Sequence, residues 1–560
     1  MLLPTDRVKR HALYRNLIRR CDISRADRRA LHQRMRTAYL TGSETGVRAR
    51  YNKLAEHVAF SSSYLYAPGS TRFGVVMPPT HGDRFMREAQ GAREELHRLW
   101  HDTDAARVFG LGVTWAHVWP SAIYKVMVSQ NRPAVALLSD PADLGVLEED
   151  VDEWDEQEAL CHWYTVNLSK FWRMIQAIPD EKRRAQLWDT AQDHATPKEA
   201  TSAETLPSTV QRFIILAAAS PTMEGQVQGM GGTALAIPRV HEDVVRLAEL
   251  WVRDDRGYRD DRHRWQPEWR VVTNLLATEE ILWEPLNPLI SDEHPFHALT
   301  LDPAPGYLWG TSPLEKLIAL QEWREKKLVD IDERDGRQID PPLFFQGFGT
   351  MDGERAKAFL HRGGYITSSA PNADVKPVMP PPVPDPFAFI DQIDGMFSRA
   401  GGLPKGMTGQ TEPGVRSGEQ AMGQAMLGSG PTMTNAMRVE GVLEEVATAL
   451  LRLHRRVNGE TIRLGQGADA TDVLLSQLPG DFVVRVSAHS ASPLYAQQIA
   501  QKAVLAKQLK AITNERFIEL LDLPQSEILV AEARQLSKAQ AEQSERVIEI
   551  QEAKAQKGRR

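Results

Sequence analysis

Two cysteines, Cys21 and Cys161, are all that 560 residues contain. They allow at most one bridge, which excludes a disulfide framework and makes a reducing, intracellular site of folding the expectation. No run of about 18 uninterrupted apolar residues occurs, so a spanning helix and a membrane partner are not expected. The opening Met1-Leu2-Leu3-Pro4-Thr5-Asp6-Arg7 lacks the basic-then-apolar order of a signal peptide. An excess of positive charge is missing too: 67 Lys/Arg stand against 74 Asp/Glu. A high-affinity nucleic-acid wrapper is distinctly basic, so that class is disfavoured. The 38 Gly and 34 Pro follow no period, which excludes collagen-like and mucin-like chains. With 42% hydrophobic and 25% charged residues, the chain is ordinary for a folded protein and long enough for several domain-sized units.

Signatures of catalysis are equally scarce. There is no Gly-x4-Gly-Lys-Ser/Thr loop; Gly402-Leu403-Pro404-Lys405-Gly406 has a lysine at the wrong spacing, and Gly229-Met230-Gly231-Gly232 fails the dinucleotide pattern. No His-Glu-x-x-His, no Cys-x-x-Cys and no Gly-x-Ser-x-Gly is present. One cluster, Asp254, Asp255, Asp260, Asp261 and His263, has the chemistry of a cation site. Arg253, Arg256, Arg259, Arg262 and Arg264 are interleaved with it, and a solvated hairpin tip of alternating charge is the stronger reading. The eight acids of 148–158 read as a solvated loop. No cofactor and no metal are expected. A metal-dependent nucleic-acid enzyme built on the 254–263 acids is the alternative from another class.

What the chain does contain is order. Residues 1–60 read as helices with basic faces, and residues 1–50 hold 13 Lys/Arg against 4 Asp/Glu. Residues 84–109 read as an amphipathic helix bearing Leu96, Leu99 and Trp100. From 111 to 128 the alternation of Val113, Trp115, His117 and Trp119, continued by Tyr124, Val126 and Val128, predicts strands. Ala159–Val166 reads as a strand. Thr205–Leu216 and Glu242–Val252 read as strand or helix, and 268–276 and 280–284 follow. The sum is a mixed α+β body.

The central third is more specific. Ser312-Pro313-Leu314-Glu315 predicts a capped helix start with a Ser-x-x-Glu box. The helix should run to about Asp335 and stop at Gly336. Its first turns are apolar and its later turns charged all round, a pattern for solvent or for copies of itself. Asp340-Pro341-Pro342 then breaks the chain, and Leu343, Phe344, Phe345 and Phe348 form an apolar knot. A short helix at 351–361 and a short strand at 364–367 are predicted next. Residues 371–386 contain seven prolines, which predicts a stiff extended connection. Asp385-Pro386 opens a second helix, striped by Phe389, Ile390, Ile393, Met396 and Phe397 and ended by Gly401-Gly402. A Gly-rich loop at 401–418 leads to Ser417-x-x-Gln420 and a helix reaching about Val457, kinked near Pro431. Phe482, Val484 and Val486 give a strand, and helix is expected from Pro493 onward.

This serial order resembles the portal proteins, or head-to-tail connectors, of tailed double-stranded DNA bacteriophages. The segments that carry it are Pro305-Gly306-Tyr307-Leu308-Trp309-Gly310-Thr311-Ser312-Pro313-Leu314, the run Gly402-Leu403-Pro404 to Gly418-Glu419-Gln420, and the proline-bounded insertion between two helices. The resemblance implies a wing at 1–310, a first stem helix at 311–335, a clip at 336–385 and a second stem helix at 386–400. It further implies a tunnel loop at 401–418, a long kinked helix returning to the wing at 419–492, and a helical crown at 493–560. It also implies a non-enzymatic ring, usually twelvefold, at one capsid vertex of a virion assembled in the bacterial host cytoplasm. Its partners would be double-stranded DNA in the channel, the terminase large subunit, head-tail adaptor proteins, and the major capsid and scaffolding proteins. Lys405, Met407, Gln410 and Arg416 would face the DNA channel. Glu322, Lys326, Asp330, Arg334 and Arg337 would line the channel or pair between subunits. Phe344, Phe345, Phe348 and Tyr365 would form the clip interface. Another structural protein of the virion is the remaining alternative.

Overall fold

The computed structural model describes most of residues 1–197, 243–339 and 430–458. It also describes 342–346, 370–377, 386–403, 461–464, 471–474, 482–486 and scattered residues elsewhere. Three helices open the chain, α1 (Arg7–Cys21), α2 (Arg25–Thr41) and α3 (Lys53–Leu65). Asp6 caps the first by accepting the Val8 N–H at 2.9 Å, and Asn52 caps the third by accepting the Ala55 N–H at 3.1 Å. Gly42 ends α2 in the left-handed region at φ 82°, where a side chain is strained.

The single helix expected at 84–109 is two, α4 (Met86–Asp102) and α5 (Ala105–Val118), broken at Asp104, whose φ is 57°. The strand expected at 111–119 is the second half of α5. This helix is apolar almost all round, so any period can be read from it. Its buried residues Phe109, Gly112, Val113, Ala116 and His117 follow the helical spacing of three to four. The strand pattern that continues it is correct: β2 (Ala122–Ser129) pairs antiparallel with β3 (Arg132–Leu137) and with β10 (Phe296–Leu299).

A six-stranded antiparallel sheet forms the other half of the body. Its order is β4 (Leu144–Val146), β5 (Ala159–Asn167), β7 (Asp243–Arg259), β8 (Trp265–Leu275) and β9 (Glu280–Trp283), with β6 (Thr196–Pro197) also pairing β7. Alternation along these strands divides two cores. Ala159, Cys161, Trp163, Leu250 and Val252 face Tyr14, Leu17, Ile18 and Cys21 of α1. Leu160, Trp251, Trp269 and Val271 face Ile123, Phe296, Leu308 and Trp309 on the other side. A strand buried on both faces reads as a continuous apolar run, which is why β5 is legible as a strand without clean alternation. Helices α6 (Leu168–Ile175) and α7 (Glu181–Asp193) cover the far end through Phe171, Ile175, Leu187 and Ala191. Both cysteines are buried and free.

The N-terminal body is completed by residues 430–458 and 483–486. The long helix α10 (Gly430–Asn458) packs Val439, Leu443, Val446, Leu450 and Leu453 against Leu96, Trp100, Phe109 and Tyr124. After the antiparallel pair β15 (Thr461–Leu464) and β16 (Thr471–Leu474), strand β17 (Val483–Val486) pairs antiparallel with β1 (Phe73–Val76), Phe73 standing opposite Val486. Pro431 is the second residue of α10 as described, and the expected kink there involves residues 419–429, which lie outside the described residues. The predicted elements at 205–216, 351–361, 364–367 and 419–429, and most of 493–560, lie outside the described residues.

Candidate functional site

Strands β11 (Asp302–Ala304) and β12 (Tyr307–Thr311) lead into α8 (Glu315–Ile339). Ser312 does serve the helix start, but not as a capping box. Its Oγ accepts the Leu314 N–H at 3.2 Å and donates to Val118 O at 2.7 Å, tying the turn to α5. Glu315 instead pairs with Arg34 of α2 at 3.0 Å. The base of α8 is locked into the body: Leu314, Leu317 and Ile318 are buried with Met35, Leu54, Val58, Trp119 and Phe397. Gln321 is fully buried, donating to Tyr51 O at 2.8 Å and accepting the Lys53 N–H at 3.3 Å.

One turn further out, Arg324 Nε donates to Asp394 of α9 (Pro386–Gly401) at 2.9 Å, and Lys53 Nζ reaches the same carboxylate oxygen at 2.9 Å. Arg324 is 9% exposed, so the expectation of a helix charged and solvated along its outer turns holds only beyond it. From 325 to 339 no described residue of α8 is buried. The helix also runs through Gly336 to Ile339, giving a rod of 25 residues, about 37 Å at 1.5 Å per residue. Gly336 lacks a neighbour within 4 Å of a notional Cβ, so nothing forces the chain to turn there.

Five stem residues predicted to matter lie on this rod. Glu322, Lys326, Asp330 and Arg337 are exposed and Arg334 is half-buried. Asp330 pairs with Lys327 at 3.2 Å and Arg337 with Glu333 at 4.0 Å. Such exposed pairs are worth little individually. More telling are the large apolar side chains on the same unit. Trp323 is 42% exposed, Ile339 84%, Phe387 56% and Phe389 51%. Beyond the rod, β13 (Leu343–Gln346) pairs antiparallel with β14 (Asp374–Pro377), Phe345 opposite Val375. The proline-rich stretch thus supplies one short strand of a two-stranded ladder. Phe344 is 56% exposed there and Phe345 half-buried. Phe348, Tyr365, Lys405, Met407, Gln410 and Arg416 lie outside the described residues.

One acid of the hairpin, Asp254, differs from its sequence reading, whereas Asp255 is exposed. Asp254 is 1% exposed, not at a solvated tip. Arg270 Nε lies 3.0 Å from its Oδ2, and the Arg256 N–H donates to its Oδ1 at 3.1 Å, across an irregularity in the β7–β8 register. Asp260, Asp261 and His263 lie outside the described residues. Among the described residues, no group of three or more His, Cys, Asp or Glu is placed to hold a metal ion. In the acidic run at 148–158, Glu148, Asp150, Glu153 and Glu156 are exposed as expected, while Glu149 accepts from Ser24 and from Trp309 Nε1 at 2.9 Å and Gln157 is buried, donating to Glu148 O.

One buried polar cluster was missed from the sequence. Lys125 Nζ of β2 donates to Glu249 Oε1 of β7 at 2.7 Å and lies 3.3 Å from His162 Nδ1 of β5. Trp251 Nε1 donates to the same Glu249 oxygen at 2.6 Å. Burial pushes the Glu249 carboxyl up, but Lys125 and His162 outweigh it and the net shift is down. The cluster joins the three-stranded sheet to the six-stranded one. Its sequence signal is a charge inside an apolar strand, Lys125 in Ala122–Ser129 and Glu249 in Asp243–Arg259.

No family model and no curated protein matches the chain. Among solved structures, a chain of the "Virion of native gene transfer agent (GTA) particle" aligns with a TM-score of 0.38 and 10% identity, covering 84% of this chain and 90% of that one. A likeness of that degree carries no argument about fold or function.

Proposed function

We propose that this chain is a structural, non-catalytic virion protein that assembles into a portal ring, with double-stranded DNA passing through its centre. The observation that carries the reading is the rod at 315–339. It is anchored at one end, unburied along its outer half and paired with α9; Trp323 and Ile339 are exposed on the rod, and Phe387 and Phe389 on α9. Large apolar side chains left open on an element that projects from its core mark a surface for association. Head-to-tail contacts between identical copies close into a ring when the rotation between them closes. Helices α8 and α9 are then the stem, the β13–β14 ladder belongs to the clip, and the body with α10 and β17 is the wing. The remaining segments follow the sequence-based division. A terminase, adaptors, and capsid and scaffolding proteins would dock on this ring at one vertex. The test is native mass spectrometry with negative-stain imaging of the full chain. The expected species is a ring near twelve copies of the 62.8 kDa chain, reduced to monomers by F387S combined with F389S with circular dichroism unchanged. A monomeric wild type indifferent to those substitutions, or metal-dependent DNA cleavage by the purified chain, overturns it.

A further inference from the structure

Where α9 ends and α10 begins, the fold leaves a cleft of about 300 Å³. Its location is fixed by two devices. Gly402, at φ 72°, closes α9 with its own N–H on Arg399 O at 3.3 Å and the Leu403 N–H on Ser398 O at 3.0 Å, a Schellman ending. Thr432 Oγ1 of α10 then donates to Gly402 O at 3.0 Å, pinning the two helix ends together. Gly401 passes so close to His57 that a Cβ there would stand 2.2 Å from His57 Cε1.

Three elements each send one cation to this cleft: Lys316 from α8, Arg399 from α9 and Arg438 from α10. Asp302, the one carboxylate among the described lining residues, is engaged by Lys316 Nζ at 3.1 Å. Arg399 donates Nε–H to Gly395 O at 3.2 Å, and Arg438 donates to Leu301 O and, at 3.0 Å, to Asn435 Oδ1. Those acceptors are neutral. A guanidinium has five N–H donors in a fork that matches two oxygens at once, so both arginines keep donors for an oxyanion.

The inner wall asks for something different. His117 is 4% exposed and its Nδ1 lies 2.8 Å from Val113 O. A carbonyl only accepts, so Nδ1 carries the proton. Burial pushes the imidazole down to about 4, and it is neutral near pH 7. Its Nε2 is therefore a bare acceptor, without a hydrogen-bond partner among the described residues. His57 beside it is held neutral by burial, then by His117, Lys316 and Lys53, and has Ser61 Oγ at 3.3 Å from Nε2. A ligand that satisfies the whole cleft accepts from the arginines and donates to an imidazole. Sulfate and carboxylates near neutral pH only accept. A phosphate that keeps one proton does both, and the second ionisation of a phosphate monoester falls near pH ~6. The cleft's size is at the small end for ligand sites.

We propose that this cleft binds a monoprotonated phosphate group, its oxygens on Arg399 and Arg438 and its hydroxyl on His117 Nε2. All the groups come from one chain, so the proposal stands apart from ring assembly. Isothermal titration of the full chain near pH ~6.5 with inorganic phosphate, a nucleoside 5′-monophosphate and sulfate tests it. Saturable binding of either phosphate, well ahead of sulfate, is expected. Preference for the free ion or for the monophosphate identifies the source. R399Q and R438Q should each weaken phosphate about tenfold, the loss of one charge-assisted hydrogen bond. H117F should bring phosphate down to the level of sulfate. If H117F does not fold, the two rim variants still decide. Equal binding of sulfate and phosphate, no saturable binding of either phosphate, or no effect of R399Q and R438Q overturns the assignment.

Discussion

His57, His97, His117, His162 and His294 are held with pKa values pushed down to between about 3 and about 4, in every case chiefly by burial. In the unfolded chain they titrate near the ordinary value of about 6.5. Below that pH the unfolded state takes up protons that the folded state refuses, so stability rises with pH across the window and falls as acid is added. Glu95, Asp140 and Glu249, whose folded pKa values lie below their ordinary values, lose their contribution in a lower window, as pH falls through those folded values. Both groups act in the same direction. The urea midpoint is expected to drop between pH 7 and pH 5, ahead of any carboxylate protonation, and a flat midpoint there would contradict the neutral-histidine assignment. At this scale the sequence is a partial guide. Ser312 and Gly402 are legible because capping and left-handed backbone select those residue types locally. The partnership of Lys125, His162 and Glu249 is not, because three strands far apart in the chain bring it together.

Helices show the same division. Starts and stops written in a few adjacent residues, as at Ser312-Pro313 and Gly401-Gly402, are found where expected, whereas the helical second half of α5 is hidden by its own uniform apolarity. The expected stop at Gly336 fails for a related reason. A glycine permits a break, but the charged turns on either side of it continue to favour helix. Gly336 and Gly395 both sit inside helices with room for a methyl group, the nearest neighbour of Gly395 being the mobile end of Arg399 at 3.9 Å. G336A and G395A should each stabilise the protein by about 0.5–1 kcal/mol, the helix-propensity difference between glycine and alanine. Chemical denaturation measures it. A loss of stability in G336A would show that the rod bends at that point in solution.

Across the whole molecule, the mixed α+β class follows from the alternation of helical and strand periods, and the order of rod, insertion and second helix is visible in the prolines and caps. No local pattern tells that residues 430–458 and 483–486 pack onto residues 73–137. Helix α10 fills the core built by α4, α5, β2 and β3, and β17 completes β1 from about 400 residues away. That arrangement has a consequence for how the protein is made. Trp100, Phe109 and Tyr124 leave the ribosome long before Leu443, Val446 and Leu450 arrive to cover them. At about 5–20 residues per second the interval is on the order of tens of seconds. Through that time the nascent chain carries an open apolar trough that only its own late helix fits. A chain ended before residue 430 should accumulate as aggregate, and supplying residues 430–560 as a separate polypeptide in the same cell should return part of it to the soluble fraction. Yield should also rise when synthesis is slowed by cold less than when holdase chaperones are supplied, since the hazard is the length of the wait rather than the final stability.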